Sequence, residues 1–539
     1  MHQDAPSFLR RATEAHALRR ILPHAPRRWA RSPLGAVVLI VAIVACPAAP
    51  VRAQVDAGTA HGRPDVIVIL TDDQRWDTLG DMPVVERALV GHGVTFENAF
   101  VTNPLCCPSR ASLLTGLYSH NTGVYRQAPP YGGFASFDDR STLATWLDDA
   151  GYSTAFVGKY IDAGQSSHLA GYVPPGWDGW TAFVHAEYYG YELSVNGSIQ
   201  HRGDEPHDYS TDVLAARAVD FLRATDDPAF LFLAVAAPHA PALPAPRHVG
   251  VPVREWVPAP GFDEADVSDK PPWVRRLRRI GDRARAGLAA LYQAQLRSLL
   301  AVDDAVAAVI RAQRERGRLH DTVFVFTSDN GLLFGEHRWV KKEAPYDESI
   351  RVPMVIRYDR VTSARVEPRM ALNIDLAPTL ADLAGVEPPD TDGTTLRPLL
   401  DGRADVEWRD RFLIEHLEGA NQVTTYCAVR SERWLFVRYR DGFEEVYDVT
   451  ADPFQLRNVA DEVPDRRHGL APSLQRLCDP EPPDAPRIDR PDGATPIPIE
   501  PGGVPVALFS AVGLAIGAAA VALRRRRTST EARMRATAR

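Results

Sequence analysis

The chain has 539 residues, and 45% of them are hydrophobic, an ordinary globular proportion that excludes a wholly disordered or fibrous protein. Five cysteines in this length exclude a disulfide-stapled scaffold. The net charge of −8 is segregated, because residues 1–33 carry +5, residues 524–539 carry +6 and residues 34–523 carry −19. An acidic body excludes nucleic acid as the main partner, since binding phosphates needs a basic face.

The N-terminal segment, residues 1–53, is predicted to be a basic leader with a signal peptide. Residues 34–45 form an uncharged apolar run of 12 residues behind an arginine-rich stretch. Val51-Arg52-Ala53 then places small residues at the spacing of a cleavage site. A lipid anchor at Cys46 and an uncleaved membrane anchor remain alternatives.

Residues 62–404 are predicted to form an α/β domain with a mixed, mostly parallel sheet flanked by helices. Short continuous apolar runs, rather than alternating ones, favour strands buried on both faces. Helical patterns lie between them, as in a parallel sheet with crossover helices. The predicted strands are residues 64–70, 154–157, 230–236 and 322–326, and the predicted helices are residues 142–150, 210–224 and 286–314.

Residues 405–478 are predicted to form a smaller α+β domain. Residues 434–440 and 444–448 have the pattern of a β-hairpin around Asp441-Gly442. Cys427 and Cys478 are the two cysteines of this segment. In an oxidising compartment they could form a disulfide, and two free thiols are the alternative.

The C-terminal segments predict a membrane anchor. Residues 479–503 contain eight prolines in 25 residues, so this stretch cannot form a core and is predicted to be an extended stalk. Residues 504–523 carry no charge and are long enough to span a bilayer as a transmembrane helix. The arginine cluster that follows predicts a basic cytoplasmic tail over residues 524–539, with the body outside the cell.

Polar side chains follow two of the predicted strands at the point where each strand ends. Asp72 and Asp73 follow the first strand, and Asp329 and Asn330 follow residues 322–326. Ligands collect at the carboxyl ends of strands in open parallel sheets, and oxygen ligands of this kind favour Ca²⁺ or Mg²⁺. A turn or helix cap is the alternative explanation for each pair.

Residues 104–116, Pro-Leu-Cys-Cys-Pro-Ser-Arg-Ala-Ser-Leu-Leu-Thr-Gly, are the most specific stretch in the chain. Pro108 suits the first turn of a helix, which places Cys106 just before the helix N-terminus, where an anion is favoured. A buried thiol pair or a redox couple are the alternatives. Adjacent cysteines bridge each other poorly, which weakens the redox interpretation.

This stretch resembles the signature of the sulfatase family, Cys-x-Pro-Ser-Arg followed by Leu-Thr-Gly. The resemblance extends over about residues 63–460. It implies that Cys106 is oxidised to formylglycine (3-oxoalanine) by a dedicated formylglycine-generating enzyme, with Cys107 at the variable position. It also implies a calcium ion.

Other residues match the family's active-site motifs, and their roles are implied by the resemblance. The implied calcium ligands are Asp72, Asp73, Asp329 and Asn330, together with the modified Cys106. Lys159 and Lys342 would bind the sulfate oxygens, His239 would protonate the leaving alcohol, and Arg110 would brace the formylglycine. His337, in Gly-Glu-His-Arg, is a candidate substrate contact, and an exposed histidine without a role is the alternative.

Lysine usage agrees with these matches. Lysines are four of the 61 basic residues, and a retained lysine is a candidate for a site that needs a compact ammonium. Chance retention at the surface is the alternative. Three of the four lie in matched active-site stretches; the four are Lys159, Lys270, Lys341 and Lys342.

Within the family, the chain is most similar to glucosamine-6-sulfatases and heparan 6-O-endosulfatases. It departs from related patterns at Ile161, Asp162 and Asp347. The implied function is calcium- and formylglycine-dependent hydrolysis of sulfate esters of sugars of the glucosamine 6-sulfate type. Phosphomonoester or phosphodiester hydrolysis on the same scaffold and a catalytically dead, surface-anchored glycan-binding protein are the alternatives.

Overall fold

The computed structural model describes residues 62–161, 171–226, 228–419 and 421–484. Several predicted features lie outside the described residues. These are the leader, Asp162, the stalk beyond residue 484, the predicted transmembrane segment and the tail.

Within the described residues, the chain forms eighteen strands and eleven α-helices. The strands are β1 Asp65–Thr71, β2 Val94–Phe96, β3 Ala99–Phe100, β4 Ser153–Gly158, β5 Gly179–Phe183, β6 Glu192–Val195, β7 Ser198–His201, β8 Ala229–Ala234, β9 Thr322–Ser328, β10 Leu333–Phe334, β11 Val340–Lys341, β12 Met354–Tyr358, β13 Arg365–Glu367, β14 Ala371–Leu372, β15 Arg411–His416, β16 Tyr426–Ser431, β17 Trp434–Tyr439 and β18 Glu444–Asp448. The helices are α1 Pro83–Val85, α2 Cys106–Thr115, α3 Ser119–Thr122, α4 Leu143–Asp149, α5 Ser210–Ala224, α6 Pro272–Arg275, α7 Asp282–Glu315, α8 Asp347–Ile350, α9 Leu376–Ala384, α10 Arg397–Leu400 and α11 Pro464–Leu477.

A ten-stranded mixed sheet forms the centre of the larger domain, in the order β13-β2-β12-β9-β1-β8-β4-β5-β6-β7. Its central strands β9, β1, β8, β4 and β5 are mutually parallel. The antiparallel pairs involve β12 on one side and the β5-β6-β7 meander on the other. The prediction of a mixed, mostly parallel sheet is confirmed.

Burial on both faces explains why residues 66–70 of β1 are all apolar. Val66, Val68 and Leu70 point into one hydrophobic cluster, which includes residues of α2, α4 and α9. Ile67 and Ile69 point into the opposite cluster, which includes residues of α5 and α7. Alternate side chains of a strand face opposite sides, so a strand between two helical layers needs apolar residues at every position.

A four-stranded antiparallel sheet, in the order β15-β16-β17-β18, forms the predicted smaller C-terminal domain. The predicted hairpin is β17 and β18, and Gly442 in its turn has a φ of 85°, which glycine adopts without strain. Helix α11 packs on the sheet through Leu470 and Leu474. The hypothesised disulfide between Cys427 and Cys478 is present, with 6.3 Å between the two Cα atoms.

The first residues of the predicted stalk lie against this C-terminal sheet. Arg440 of the hairpin donates hydrogen bonds to the carbonyl oxygens of Pro482 and Pro483. None of the helices in the described residues combines the length and apolarity needed to cross a membrane.

Candidate active site

Two neighbouring strand ends bring the four predicted oxygen ligands together. Strands β1 and β9 are parallel and in register, with Thr71 opposite Ser328, so the residues that follow them leave the sheet side by side. The backbone N–H of Asp73 donates to Asp329 Oδ1 at 3.1 Å. The predicted convergence of Asp72, Asp73, Asp329 and Asn330 is confirmed.

Helix α2 presents Cys106 to this group of carboxylates. The helix begins at Cys106, and Cys106 Sγ lies 3.5 Å from Asp72 Oδ1. Ligand atoms of Asp72, Asp73, Cys106 and Asp329 all lie within 4.8 Å of one another. We call these four residues the acidic cluster.

Arg110 lies one helical turn after Cys106, on the same face of α2. Its Nε donates to Asp329 Oδ2 at 2.8 Å, and its Nη2 donates to Asp72 Oδ2 at 3.3 Å. Arg110 and both carboxylates are almost fully buried. Arg110 therefore bridges the two strand ends and holds α2 against them.

Two of the rare lysines reach the acidic cluster from different parts of the chain. Lys159 follows β4, and its Nζ lies 2.5 Å from Asp72 Oδ2. Lys342 follows β11, and its Nζ contacts Asp73 Oδ1 and lies 2.7 Å from Cys106 Sγ. Both lysine side chains are 11% exposed. With Arg110 they supply three positive charges for three carboxylates, so the buried charges are balanced.

His239 lies at the open side of the cluster. Its Nε2 is 3.7 Å from Asp73 Oδ2, and its Nδ1 is 2.7 Å from the carbonyl oxygen of Ala240. The Tyr188 hydroxyl donates to the His239 carbonyl oxygen at 2.8 Å and so fixes this turn. The His239 side chain is 44% exposed, far more than either lysine, so it is the most solvent-accessible of these three side chains.

The charges of the cluster shift the pKa values of its members. Burial raises the pKa of Asp72, but the nearby charges of Lys159, His239 and Arg110 outweigh it and hold that pKa well below its usual range. Burial, with the adjacent Asp329 and Asp72 carboxylates, raises the pKa of the Cys106 thiol well above its usual value. An unmodified Cys106 is therefore protonated near neutral pH, where a thiol is a weak nucleophile.

The donor atoms of the site fit a hard divalent cation. Asn330 Nδ2 donates to Asp73 Oδ1 at 2.6 Å, while Asn330 Oδ1 is buried and has no hydrogen-bond partner among the described residues. A buried amide oxygen without a partner is costly unless something else binds it. Together with three carboxylates, this oxygen forms a set suited to Ca²⁺ or Mg²⁺.

His337 is not placed as the sequence suggested. Its side chain is fully buried, with Nδ1 2.7 Å from Glu264 Oε2 and the ring centroid 4.1 Å from that of Tyr346. The alternative of an exposed histidine is wrong, because Glu264 and Tyr346 lie against the buried ring, and the substrate contact stays a prediction. Lys270 is also fully buried, and its Nζ contacts Asp269 and the carbonyl oxygen of Leu456.

The sequence did not reveal that the C-terminal sheet holds the segment that carries Lys342. The Tyr426 hydroxyl of β16 donates to the carbonyl oxygen of Glu343 at 2.9 Å, and Asn421 Nδ2 donates to Glu343 Oε2 at 2.7 Å. Glu343 has a φ of 78°, and its N–H donates to Pro104 O at 3.0 Å. The contacts of Tyr426 and Asn421 with Glu343 join residues about 80 positions apart, and that of Pro104 spans 239 positions, so no local sequence pattern signals them.

Tyr426→Phe tests whether this support matters for activity. We expect kcat/KM to fall about three- to tenfold, as for the loss of a hydrogen bond worth about 0.5–1.5 kcal/mol. Tyr152→Phe is the matched control, because the buried Tyr152 hydroxyl also donates to a carbonyl oxygen, that of Pro64, at the opposite end of the sheet. Equal kcat/KM values for both variants, measured at equal folded fractions, would contradict a role for Tyr426 in placing Lys342.

Two family sequence models match the chain. The model described as Sulfatase matches residues 64–386, and the model described as N-sulphoglucosamine sulphohydrolase, C-terminal, matches residues 335–475. Together they cover the large sheet, the acidic cluster and the C-terminal sheet.

Several known proteins are similar in sequence or structure. The chain is 36% identical over 375 residues to an extracellular sulfatase SULF-1 homolog of Drosophila melanogaster; the match covers 66% of this chain and 33% of that protein, so the chain spans about a third of that relative's length. It is 32% identical over 460 residues to the human N-acetylglucosamine-6-sulfatase, covering 75% of this chain and 82% of that protein. A protein solved in complex with its substrate, D-glucosamine-2-N,6-O-disulfate, superposes with a TM-score of 0.67 at 25% identity, covering 77% of this chain and 98% of that one.

Proposed function

The chain belongs to the sulfatase family and is a sulfuric ester hydrolase, and we propose that its substrates are sulfated sugars of the glucosamine 6-sulfate type. One observation supports the proposal most strongly. At the ends of β1 and β9, Cys106 lies in a buried cluster with three carboxylates and two lysines. The names of the relatives supply the class of sugar.

We propose that Cys106 is oxidised to formylglycine, whose hydrated aldehyde supplies a hydroxyl nucleophile and a second hydroxyl that allows sulfate to leave. Cys106 is fully buried in the folded chain, so this oxidation has to precede folding. A formylglycine-generating enzyme is the partner that it requires.

We propose Ca²⁺ as the metal, held by Asp72, Asp73, Asp329, Asn330 and the modified residue 106. Such an ion would supply Lewis-acid polarisation of the sulfate group. The unpartnered Asn330 oxygen supports this assignment.

We propose the remaining roles, and the positions of the side chains support them. Lys159 and Lys342, on two sides of Cys106, would bind the sulfate oxygens as compact positive charges. The S–O bond to the sugar breaks, and the leaving oxygen takes a proton from His239 Nε2, the ring nitrogen turned towards the cluster. Water supplies the oxygen and protons that complete hydrolysis to alcohol and sulfate.

The test compares purified protein on N-acetylglucosamine 6-sulfate, a chromogenic sulfate ester and the matching phosphate esters. We expect sulfate release from the sugar, and an aldehyde mass for the peptide containing residue 106. Faster cleavage of the phosphate esters would establish the phosphoester hydrolase instead. An unmodified thiol with no turnover of any ester would establish a binding protein.

We also propose that the enzyme is anchored at the cell surface by residues 504–523, with the described body outside. The full chain should remain with membranes after alkaline washing. A chain ending at residue 484, which keeps Cys478 and the contacts of Arg440, should be soluble and active. Recovery of the full chain in the soluble fraction would contradict the anchor.

A further inference from the structure

A dense group of exposed arginines interrupts the acidic surface of this protein. Residues 275–285 contain six arginines and one acidic residue, Asp282, in a body whose residues 34–523 carry a net charge of −19. All six side chains are exposed. We call this group the arginine patch; its members are Arg275, Arg276, Arg278, Arg279, Arg283 and Arg285.

At least two of the six arginines of the patch have no acidic partner among the described residues. Arg279 is paired with Asp263 at 2.8 Å. Arg276 and Arg278 make no ion pair or side-chain hydrogen bond with any other described residue. Exposed guanidinium groups of this kind can bind sulfate or carboxylate groups through paired N–H donors.

The arginine patch lies beside the hairpin that leads to Lys342. The Arg338 side chain, in the turn between β10 and β11, donates to the carbonyl oxygen of Leu277 at 3.2 Å. Trp273 and Trp339 pack edge to face, with ring centroids 5.3 Å apart. The segment that carries the arginines is therefore packed directly on the segment that carries a lysine of the site.

The direction of α7 also places the arginine patch near the active site. Helix α7 ends at Glu315, a few residues before β9 begins, and β9 runs to the edge of the sheet where Asp329 lies. A helix that returns the chain to the start of a strand runs antiparallel to it, so α7 begins at the active-site edge. The arginine patch immediately precedes α7 and includes its first turn.

We propose that the arginine patch binds a sulfated polysaccharide chain and holds it beside the active site. This inference rests on the proposed function and extends it from small sugars to a polymer. A single sulfated sugar is accommodated by Lys159, Lys342 and His239. The arginine patch lies outside that site, so it would contribute to binding when the ligand carries many negative charges along its length. The positive charge of the patch would also attract such a ligand at long range.

A polyanionic glycan fits this location better than an anionic membrane. A lipid surface resting on the arginine patch would cover the adjacent side of the active site, whereas a polysaccharide chain can lie along the patch and enter the site with one of its sugars. The two ligands make different predictions, and the experiment below separates them.

The test uses the full, matured enzyme with Arg276→Glu and Arg278→Glu combined. The matched control combines Arg311→Glu and Arg314→Glu, because these arginines are also exposed, make no ion pair with described residues and lie at the opposite end of α7. Both variants change the net charge by the same amount. The readouts are the salt concentration that elutes each protein from immobilised heparin, and kcat/KM on heparin and on a small chromogenic sulfate ester.

We expect the patch variant to elute at lower salt than wild type and to lose about tenfold or more in kcat/KM on the polymer, with unchanged activity on the small ester. The control should behave like wild type in all three measurements. Equal elution of both variants would overturn the proposal, and so would an equal loss on both substrates. Binding of wild type to phosphatidylserine-containing vesicles but not to heparin would favour the membrane instead.

The outcome is separable from that of the proposed function. If wild type cleaves no sulfate ester of any size, the proposed function fails, while heparin elution still tests the patch. If wild type cleaves the small ester normally but both variants bind heparin equally, the patch proposal alone fails.

Discussion

Cys106→Ala is expected to lower turnover by about four orders of magnitude or more, because it removes the only side chain proposed to attack sulfur. Cys106→Ser should be nearly inactive as well, since a serine sulfate would have no second hydroxyl to expel sulfate. Cys107→Ala should stay within about threefold of wild type. Cys107 packs in the core on the other side of the helix start, and its backbone N–H donates to Gln127 Oε1 at 3.0 Å, a contact that alanine keeps.

The measurement is sulfate release by each variant, produced together with the maturing enzyme and compared at equal folded fractions. Cys107→Ala is the matched control, because it removes the adjacent thiol. If Cys107→Ala were inactive and Cys106→Ala active, the residue oxidised to formylglycine would be Cys107 and not Cys106. Wild-type activity in both variants would refute the formylglycine mechanism.

Removal of the metal is expected to abolish activity and to lower the melting temperature by several degrees. Without a cation, the carboxylates of Asp72, Asp73 and Asp329 lose a shared ligand, and the buried Asn330 Oδ1 has no hydrogen-bond partner among the described residues. A ligand present at a hundredfold excess over its Kd stabilises the folded state by about 2.7 kcal/mol. The loss should therefore be visible in thermal unfolding as well as in turnover.

Elemental analysis of the purified enzyme should find one calcium per chain. A chelator should remove activity and stability together, and returning Ca²⁺ should restore both, with Mg²⁺ added separately as the comparison. An enzyme that contains no metal and is unaffected by a chelator would refute the metal site. Full restoration by Mg²⁺ alone would assign the site to magnesium.

The parts of this structure that local sequence encodes were predictable. A strand buried on both faces is apolar along its central positions, which is why β1, β4, β8 and β9 were identifiable as continuous runs. Parallel strands deliver the residues that follow them to one edge, so the pairing of Asp72 and Asp73 with Asp329 and Asn330 followed from the strand assignment. The helix that starts at Cys106 was signalled by Pro108.

The parts that depend on distant contacts were not predictable in the same way. His337 lies in Gly-Glu-His-Arg, a stretch with the composition of an exposed loop. It is buried because Glu264, 73 residues earlier in the chain, pairs with its Nδ1. The contacts of Tyr426 and Asn421 with Glu343 are equally remote, and nothing near either partner predicts them.

The hydrogen bonds from the C-terminal sheet to Glu343 have a consequence for the timing of biosynthesis. By the time residue 342 leaves the ribosome, the nascent chain already contains Cys106, Arg110, the oxygen ligands, His239 and both lysines. Asn421 and Tyr426, which hold the segment beside Lys342, are made about 80 residues later. Chains that end between residues 343 and 420 therefore contain every residue assigned to catalysis but lack these supports. Such incomplete chains are therefore expected to be less active than the full chain, which would place the gain of full activity late in synthesis.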